Sequence, residues 1–62
     1  MSYYVIYDEE YGYLCERDDQ RLYYTSHLNE RTLLFTNLED AEKAASFSDV
    51  IIETSYQGGI IK

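Results

Sequence analysis

The fold class is decided by residues 3–17, which read YYVIYDEEYGYLCER. The first five residues of this stretch are aromatic or β-branched, and such side chains fit the pleated surface of a strand. The acidic run that follows ends at Gly12, a residue that can adopt the positive φ of a tight turn. Because strand composition returns at 13–17, the stretch predicts a β-hairpin. Its first strand is bulky on both faces, which is typical of a central or covered strand.

Strand composition continues beyond the hairpin. A polar turn at 18–20 precedes the aromatic segment 22–25, which we predict to be a third strand of an antiparallel meander. Residues 26–31 lack a clean period and indicate a loop or a single turn. The short apolar run 32–35 is either a fourth strand or the lead-in to a helix.

The strongest local pattern in the chain is a helix start. Residues 36–39 read TNLE and fit a capping box, in which the hydroxyl of Thr36 accepts from a backbone amide of the first turn. We therefore predict a helix over about 37–46. Leu38, Ala41 and Ala45 share one face of it, and the small alanine side chains allow close packing on a sheet. Phe47 lies out of this register, so the helix should end near Ser46.

The rest of the chain completes one domain spanning 1–62. Residues 50–54 predict a further strand, and we expect a flexible tail over about 57–62 whose Ile60 and Ile61 form either a short edge strand or a frayed apolar end. The predicted class is α+β, with the order β-β-β-(β)-α-β. An antiparallel sheet of about three to five strands carries one α-helix on one face.

Chain length favours self-association. For 62 residues, apolar burial and the entropy of ordering the chain each come to roughly 95 kcal/mol, so they nearly cancel. The chain also contains no proline to guard a sheet edge. Both features predict help from a partner, and a homodimer is the simplest form.

Composition defines the kind of partner. Eight tyrosines, two phenylalanines and 45% apolar residues argue against disorder, while twelve acids against five bases give a net charge of −7. An acidic chain repels nucleic acid and anionic membranes and favours a basic partner. The chain has neither a signal-like start nor an apolar run near the ~20 residues of a membrane span. We therefore expect a cytoplasmic protein.

Catalytic and metal chemistry have little support. Cys15 and His27 are the only thiol and the only imidazole. Cys15 lies in a predicted strand, where a free cysteine acts as a small hydrophobe, and one cysteine excludes an internal disulfide. His27 lies in a loop without a nucleophile elbow or metal-ligand spacing. The acids at 8–10 lack the spacing of a calcium loop. We expect no enzyme activity, cofactor or metal site.

Two acidic clusters and the neighbouring tyrosines are the candidate binding residues. They are either solvated turn acids or an acidic surface that mimics nucleic acid, with carboxylates in place of phosphates and aromatic rings as anchors. Because consecutive turns lie at opposite ends of a strand, the two clusters should flank the second strand. The predicted partner-binding residues are Asp8, Glu9, Glu10, Tyr11, Tyr13, Glu16, Asp18 and Asp19.

The order of these segments carries a resemblance. YYVI, then GYL, then FTNLEDAEKAA, then VIIE resembles small phage and prophage proteins in which a hairpin precedes a capped helix and a closing strand. In size, acidity and tyrosine content the chain is similar to phage-encoded inhibitors of host defence, including anti-CRISPR proteins. This resemblance implies an inhibitor, acting in the host cytoplasm, of a basic, nucleic-acid-handling host protein. The alternative is a small homodimeric interaction module without mimicry.

Overall fold

Six strands and one helix make up the computed structural model, which describes residues 1–62. They follow one another as β1 (Tyr3–Asp8), β2 (Gly12–Glu16), β3 (Leu22–Thr25), β4 (Leu33–Leu34), α1 (Leu38–Ala44), β5 (Asp49–Thr54) and β6 (Ile60–Ile61). A four-stranded antiparallel sheet has the order β3-β2-β1-β5, and β4 and β6 form a two-stranded parallel sheet. The predicted α+β class and the rough order of elements are confirmed; the second sheet was not predicted.

The hairpin of β1 and β2 opens away from its turn. The two strands are register partners at only two positions beside that turn. Beyond it, segment 31–35 contacts both strands: Arg31 O accepts from Glu16 N at 3.0 Å, and Phe35 exchanges two backbone hydrogen bonds with Tyr4, at 2.9 and 2.8 Å. This segment therefore ties the open end of the hairpin together, and its residues Leu33 and Leu34 form β4.

The end of the chain lies against β4. Ile60 N donates to Thr32 O at 2.7 Å, and Lys62 N donates to Leu34 O at 2.8 Å. Of the two possibilities for Ile60 and Ile61, the structure shows the short strand, β6.

Helix α1 begins one residue later than the predicted capping box requires. Its N-cap is Asn37, whose Oδ1 accepts from Asp40 N at 2.8 Å. Thr36 is occupied elsewhere, because its hydroxyl donates to Lys62 O at 3.4 Å. The Thr36 cap was therefore wrong: two good cap residues stand in sequence, and contact with the chain end decides between them. The helix has seven residues, and no helix of the chain is long and apolar enough to span a membrane.

Two buried clusters lie on the two faces of the sheet, because successive strand side chains alternate between faces. The helix-side cluster consists of Ile6, Leu14, Leu33, Phe35 and Ala41, and the cluster on the opposite face consists of Tyr3, Val5 and Leu34. Cys15 is fully buried, as expected for a small hydrophobe. Ala41 is the buried residue of α1, so the helix packs on the sheet through a small side chain.

Candidate partner-binding surface

Asp8 organises the turn between β1 and β2. Its Oδ1 accepts from Tyr11 N at 3.0 Å and from Glu10 N at 2.8 Å, and its side chain is buried. These two amide hydrogen bonds, that of Tyr11 first, hold the pKa of Asp8 below its ordinary value. With Asp8 in this internal role, Glu9, Glu10 and Tyr11 are exposed at the tip of the turn.

The chain leaving α1 packs against this turn. Ser48 Oγ donates to Asp8 Oδ2 at 3.1 Å, and Asp49 is the register partner of Asp8 on the neighbouring strand. Asp49 Oδ2 in turn accepts from Ser46 N at 2.8 Å. Residues 8–11 and 46–49 therefore lie together, and we call them the acidic end.

Aromatic side chains accompany these carboxylates. Tyr11 is 63% exposed, and Phe47, in the turn that follows the helix, is fully exposed. The ring of Tyr24 lies 6.4 Å from that of Tyr11, and its hydroxyl donates to Asp49 Oδ2 at 2.8 Å. Burial, followed by the hydrogen bond to Asp49, raises the pKa of Tyr24. Tyr24 thus anchors the surface from within, while Tyr11 and Phe47 project from it.

The acidic end contains no basic residue. Its carboxylates are Asp8, Glu9, Glu10 and Asp49. The Oδ1 atom of Asp49 is buried and has no hydrogen-bond partner, so this carboxylate is held through its other oxygen. The two exposed glutamates carry the charge that a partner would meet first.

The second predicted acidic cluster is matched by bases. Glu16 accepts from Lys62 Nζ at 3.0 and 3.2 Å. Asp18 pairs with Arg31 at 3.0 Å, and Asp19 pairs with Arg21 at 3.5 Å. We call this region the paired end: Glu16, Asp18, Asp19, Glu30, Arg17, Arg21, Arg31 and Lys62. Its formal charges cancel.

The net charge of the chain therefore lies away from the paired end. Eight acids and one base, Lys43, remain for the rest of the chain, and they account for the whole formal charge of −7. The base is itself paired with Glu39 at 3.8 Å on the helix surface. Along β2, the paired end and the acidic end stand roughly 13 Å apart, the length of four strand steps.

Tyr13 belongs to neither end. It is half-buried, and its ring packs against Tyr7 with centroids 4.9 Å apart at an interplanar angle of 55°. The structure thus brings Asp8, Glu9, Glu10 and Tyr11 together, places Glu16, Asp18 and Asp19 in the paired end, and leaves Tyr13 on the sheet.

Sequence reasoning missed Phe47 and Asp49 as members of this surface, whereas Tyr24 was one of the tyrosines expected beside the acidic clusters. A signal existed only for Phe47, which stood out of the apolar register of the helix. Asp49 joins the acidic end through its pairing with Asp8, a contact between distant parts of the sequence that local pattern cannot specify.

No pocket is present on the surface, and no group of three or more His, Cys, Asp and Glu side chains could hold a metal ion. Cys15 Sγ is buried 3.7 Å from Thr32 Oγ1, and His27 is exposed. No family model matches the chain, and neither a curated protein nor a solved structure matches it.

Proposed function

We propose that this chain is a non-enzymatic binding protein whose acidic end docks on a basic, nucleic-acid-handling protein and inhibits it, as phage-encoded inhibitors of host defence do. The observation that carries the proposal is the separation of charge. The acidic end has four carboxylates and no base, whereas four of the five basic residues sit in the paired end.

This distribution of charge affects the rate at which the protein and its partner associate. Surface carboxylates grouped without counter-charges steer a basic partner and raise the association rate, an effect that salt screens. Glu9 and Glu10 are exposed and free of ion pairs. They would occupy the positions of phosphates on the basic surface, while buried Asp8 keeps the turn in shape.

The exposed aromatics supply the apolar part of the contact. Aromatic residues are enriched at the centres of interfaces and often carry most of the binding energy. An exposed ring such as Phe47 gains about 1.5–3 kcal/mol when it is fully buried. Because Tyr11 and Phe47 project from two turns joined through Asp8, one partner surface could bury both.

A matched pair of variants tests whether binding depends on where the negative charges lie. Glu9→Gln/Glu10→Gln and Asp18→Asn/Asp19→Asn remove the same charge from the acidic end and from the paired end. The immobilised parent would first capture proteins from a nuclease-treated bacterial lysate, and capture that double-stranded DNA competes away would be followed by association kinetics on the purified protein. We expect the first variant to slow association and flatten its salt dependence, while the second binds like the parent.

In the same assay, Phe47→Ser tests the contribution of the exposed aromatic side chains to binding. It should speed dissociation and leave the association rate nearly unchanged, because buried anchors act mainly on the dissociation rate. Equal behaviour of the two charge variants, or binding that is indifferent to both salt and DNA, would remove the mimicry proposal.

The second candidate function is a homodimeric interaction module without mimicry. It is favoured by strand β5, which lies at the edge of the sheet with Val50 and Ile52 exposed. The salt dependence of binding distinguishes the two candidate functions. Screening weakens contact with a basic partner, but it strengthens contact between two copies that each carry −7.

A further inference from the structure

Strand β5 has an open hydrogen-bonding edge. Tyr4 exchanges its backbone hydrogen bonds with Phe35, so its register partner Glu53 receives none from it. Antiparallel pairs alternate between bonded and non-bonded positions. The positions bonded to β1 are therefore Val50, Ile52 and Thr54, and the N–H and C=O groups of Ile51 and Glu53 point away from the sheet.

The protection of this edge is limited to the acids Asp49 and Glu53 and to the hydrogen bond that Asp49 N already makes. The sheet order places β5 at its end, and β5 contains no proline and no lysine. On the face opposite the helix, Val50 is 55% exposed and Ile52 is 38% exposed, each beside a β1 side chain. Open backbone groups beside exposed β-branched side chains are the features that allow another strand to be added.

The sequence of β5 is self-complementary in one register. Residues whose backbone groups point outward must pair with one another, which within β5 allows two-fold axes at Val50, Ile51, Ile52 or Glu53. An axis at Ile51 sets Asp49 opposite the partner's Glu53, and an axis at Glu53 sets two glutamates opposite each other; like charges in these positions are destabilising. Axes at Val50 and at Ile51 both need the N–H of Asp49, which already donates to Ser46 O at 3.0 Å.

The axis at Ile52 avoids both problems. Ile51 then lies opposite the partner's Glu53, and the two residues exchange both of their free backbone hydrogen bonds. Ile52 meets the partner's Ile52 at a non-bonded position, where opposing side chains come closest. Val50 meets the partner's Thr54, so β-branched side chains continue across the junction on one face.

We propose that a second copy of this chain pairs antiparallel with β5 about a two-fold axis at Ile52, doubling the four-stranded sheet. The pairing does not depend on the function proposed above, because it uses residues 50–54 rather than the acidic end.

Antiparallel pairing also keeps the acidic ends apart. β5 begins at the acidic end, so Asp49 lies beside the partner's Ser55 and not beside the partner's acidic end. The two acidic ends are then separated by roughly 20 Å along the strands, more than twice the Debye length of about 8 Å at physiological ionic strength. A parallel arrangement would place these ends side by side.

Cross-linking tests the register directly. In a Cys15→Ala background, Ile52→Cys would place two thiols at a close non-bonded pair, within reach of a disulfide after a small adjustment. Glu53→Cys is the matched control, because position 53 of one copy lies opposite position 51 of the partner, two residues from the partner's position 53. We expect Ile52→Cys to form a disulfide-linked dimer at least about tenfold faster than Glu53→Cys under mild oxidation. Equal rates, or no cross-link at Ile52, would overturn the register.

Sedimentation equilibrium of the unmodified chain tests the association itself. We expect a dimer whose dissociation constant falls between about 0.1 M and about 1 M salt. Ile52→Lys lowers the net negative charge and so would strengthen non-specific association, but it sets two lysines opposite each other and should raise the dissociation constant at least about tenfold. Ile52→Thr, which keeps β-propensity, is the substitute if the lysine variant fails to fold, and it should weaken pairing in the same direction. A chain that stays monomeric at millimolar concentration in high salt would refute the proposal.

Discussion

Replacing Gly12 with alanine should cost about 3 kcal/mol of stability, working from three contributions. Gly12 has a φ of 100°, and an added Cβ would lie 2.1 Å from Thr25 O and 2.6 Å from Thr25 C. The backbone strain costs about 2 kcal/mol. Tyr13 and Thr25 are register partners of β2 and β3, and the alternation of bonded pairs makes them a hydrogen-bonded pair. Displacing β3 therefore weakens two backbone hydrogen bonds, at about 1 kcal/mol each. Lower entropy of the unfolded chain offsets about 0.4–1 kcal/mol of this.

The expected loss is large for a domain of this size. At 0.05–0.15 kcal/mol per residue, the whole stability is roughly 3–9 kcal/mol, and the melting midpoint should fall by roughly 12–24 °C. Thermal and urea unfolding followed by circular dichroism would measure the change. Gly58→Ala is the matched control, since its Cβ would meet the flexible end of Tyr56 at 2.6 Å rather than backbone. Unfolding free energies of the two variants that agree within about 0.5 kcal/mol would refute the reasoning.

Two further predictions concern single side chains. Asn37→Ala should lower the free energy of unfolding by about 1 kcal/mol, and Thr36→Ala should lower it by less than half as much. If urea unfolding gave the reverse order, Thr36 would be the N-cap. The pKa of Asp8 is lower in the folded state than its ordinary value of 3.8, so the stabilisation from its ionised form is complete above that value and is lost as pH falls through the folded-state pKa. Asp8→Asn cannot titrate and should flatten the fall of the urea midpoint below about pH 4; a curve parallel to that of the parent would contradict this.

The parts of the fold that were predictable are those that local chemistry specifies. The hairpin of β1 and β2 follows from strand-forming side chains on either side of a turn that needs a glycine at positive φ, and Gly12 has that φ. The helix follows from a cap and a face of small residues. Segment 31–35 could not be placed in the same way, because its position depends on hydrogen bonds to Tyr4 and Glu16, which lie far away in sequence. A long-range contact also explains why the predicted N-cap was wrong: the hydroxyl of Thr36 donates to Lys62 O, and Asn37 caps the helix instead.

The candidate site was likewise predictable only where the local sequence specifies it. Composition predicted an acidic surface, and the turn acids lie at two ends of β2 as hairpin geometry requires. Composition could not show that one cluster is matched by Arg21, Arg31 and Lys62 while the other has no base. Which carboxylates remain unpaired is decided by tertiary contacts, and those contacts move the proposed binding surface to the acidic end.

The contrast between the two sheet edges indicates that assembly through β5 would stop at two copies. The other edge, β3, is four residues long and follows a turn in which Arg21 pairs with Asp19. Arg17 covers the ring of Tyr23, with its guanidinium carbon 4.6 Å from the ring centroid. Short strands, lysines and covering groups are among the usual means of blocking edge-to-edge growth. β5 is six residues long and has no base, and its charged residues are the acids Asp49 and Glu53. A two-fold pair therefore uses both open β5 edges, and the outer edges of the joined four-stranded sheets are then both β3. Its acidic ends point in opposite directions, so each remains free to meet a basic surface, and a partner with two such surfaces would gain from binding the second one within the same complex.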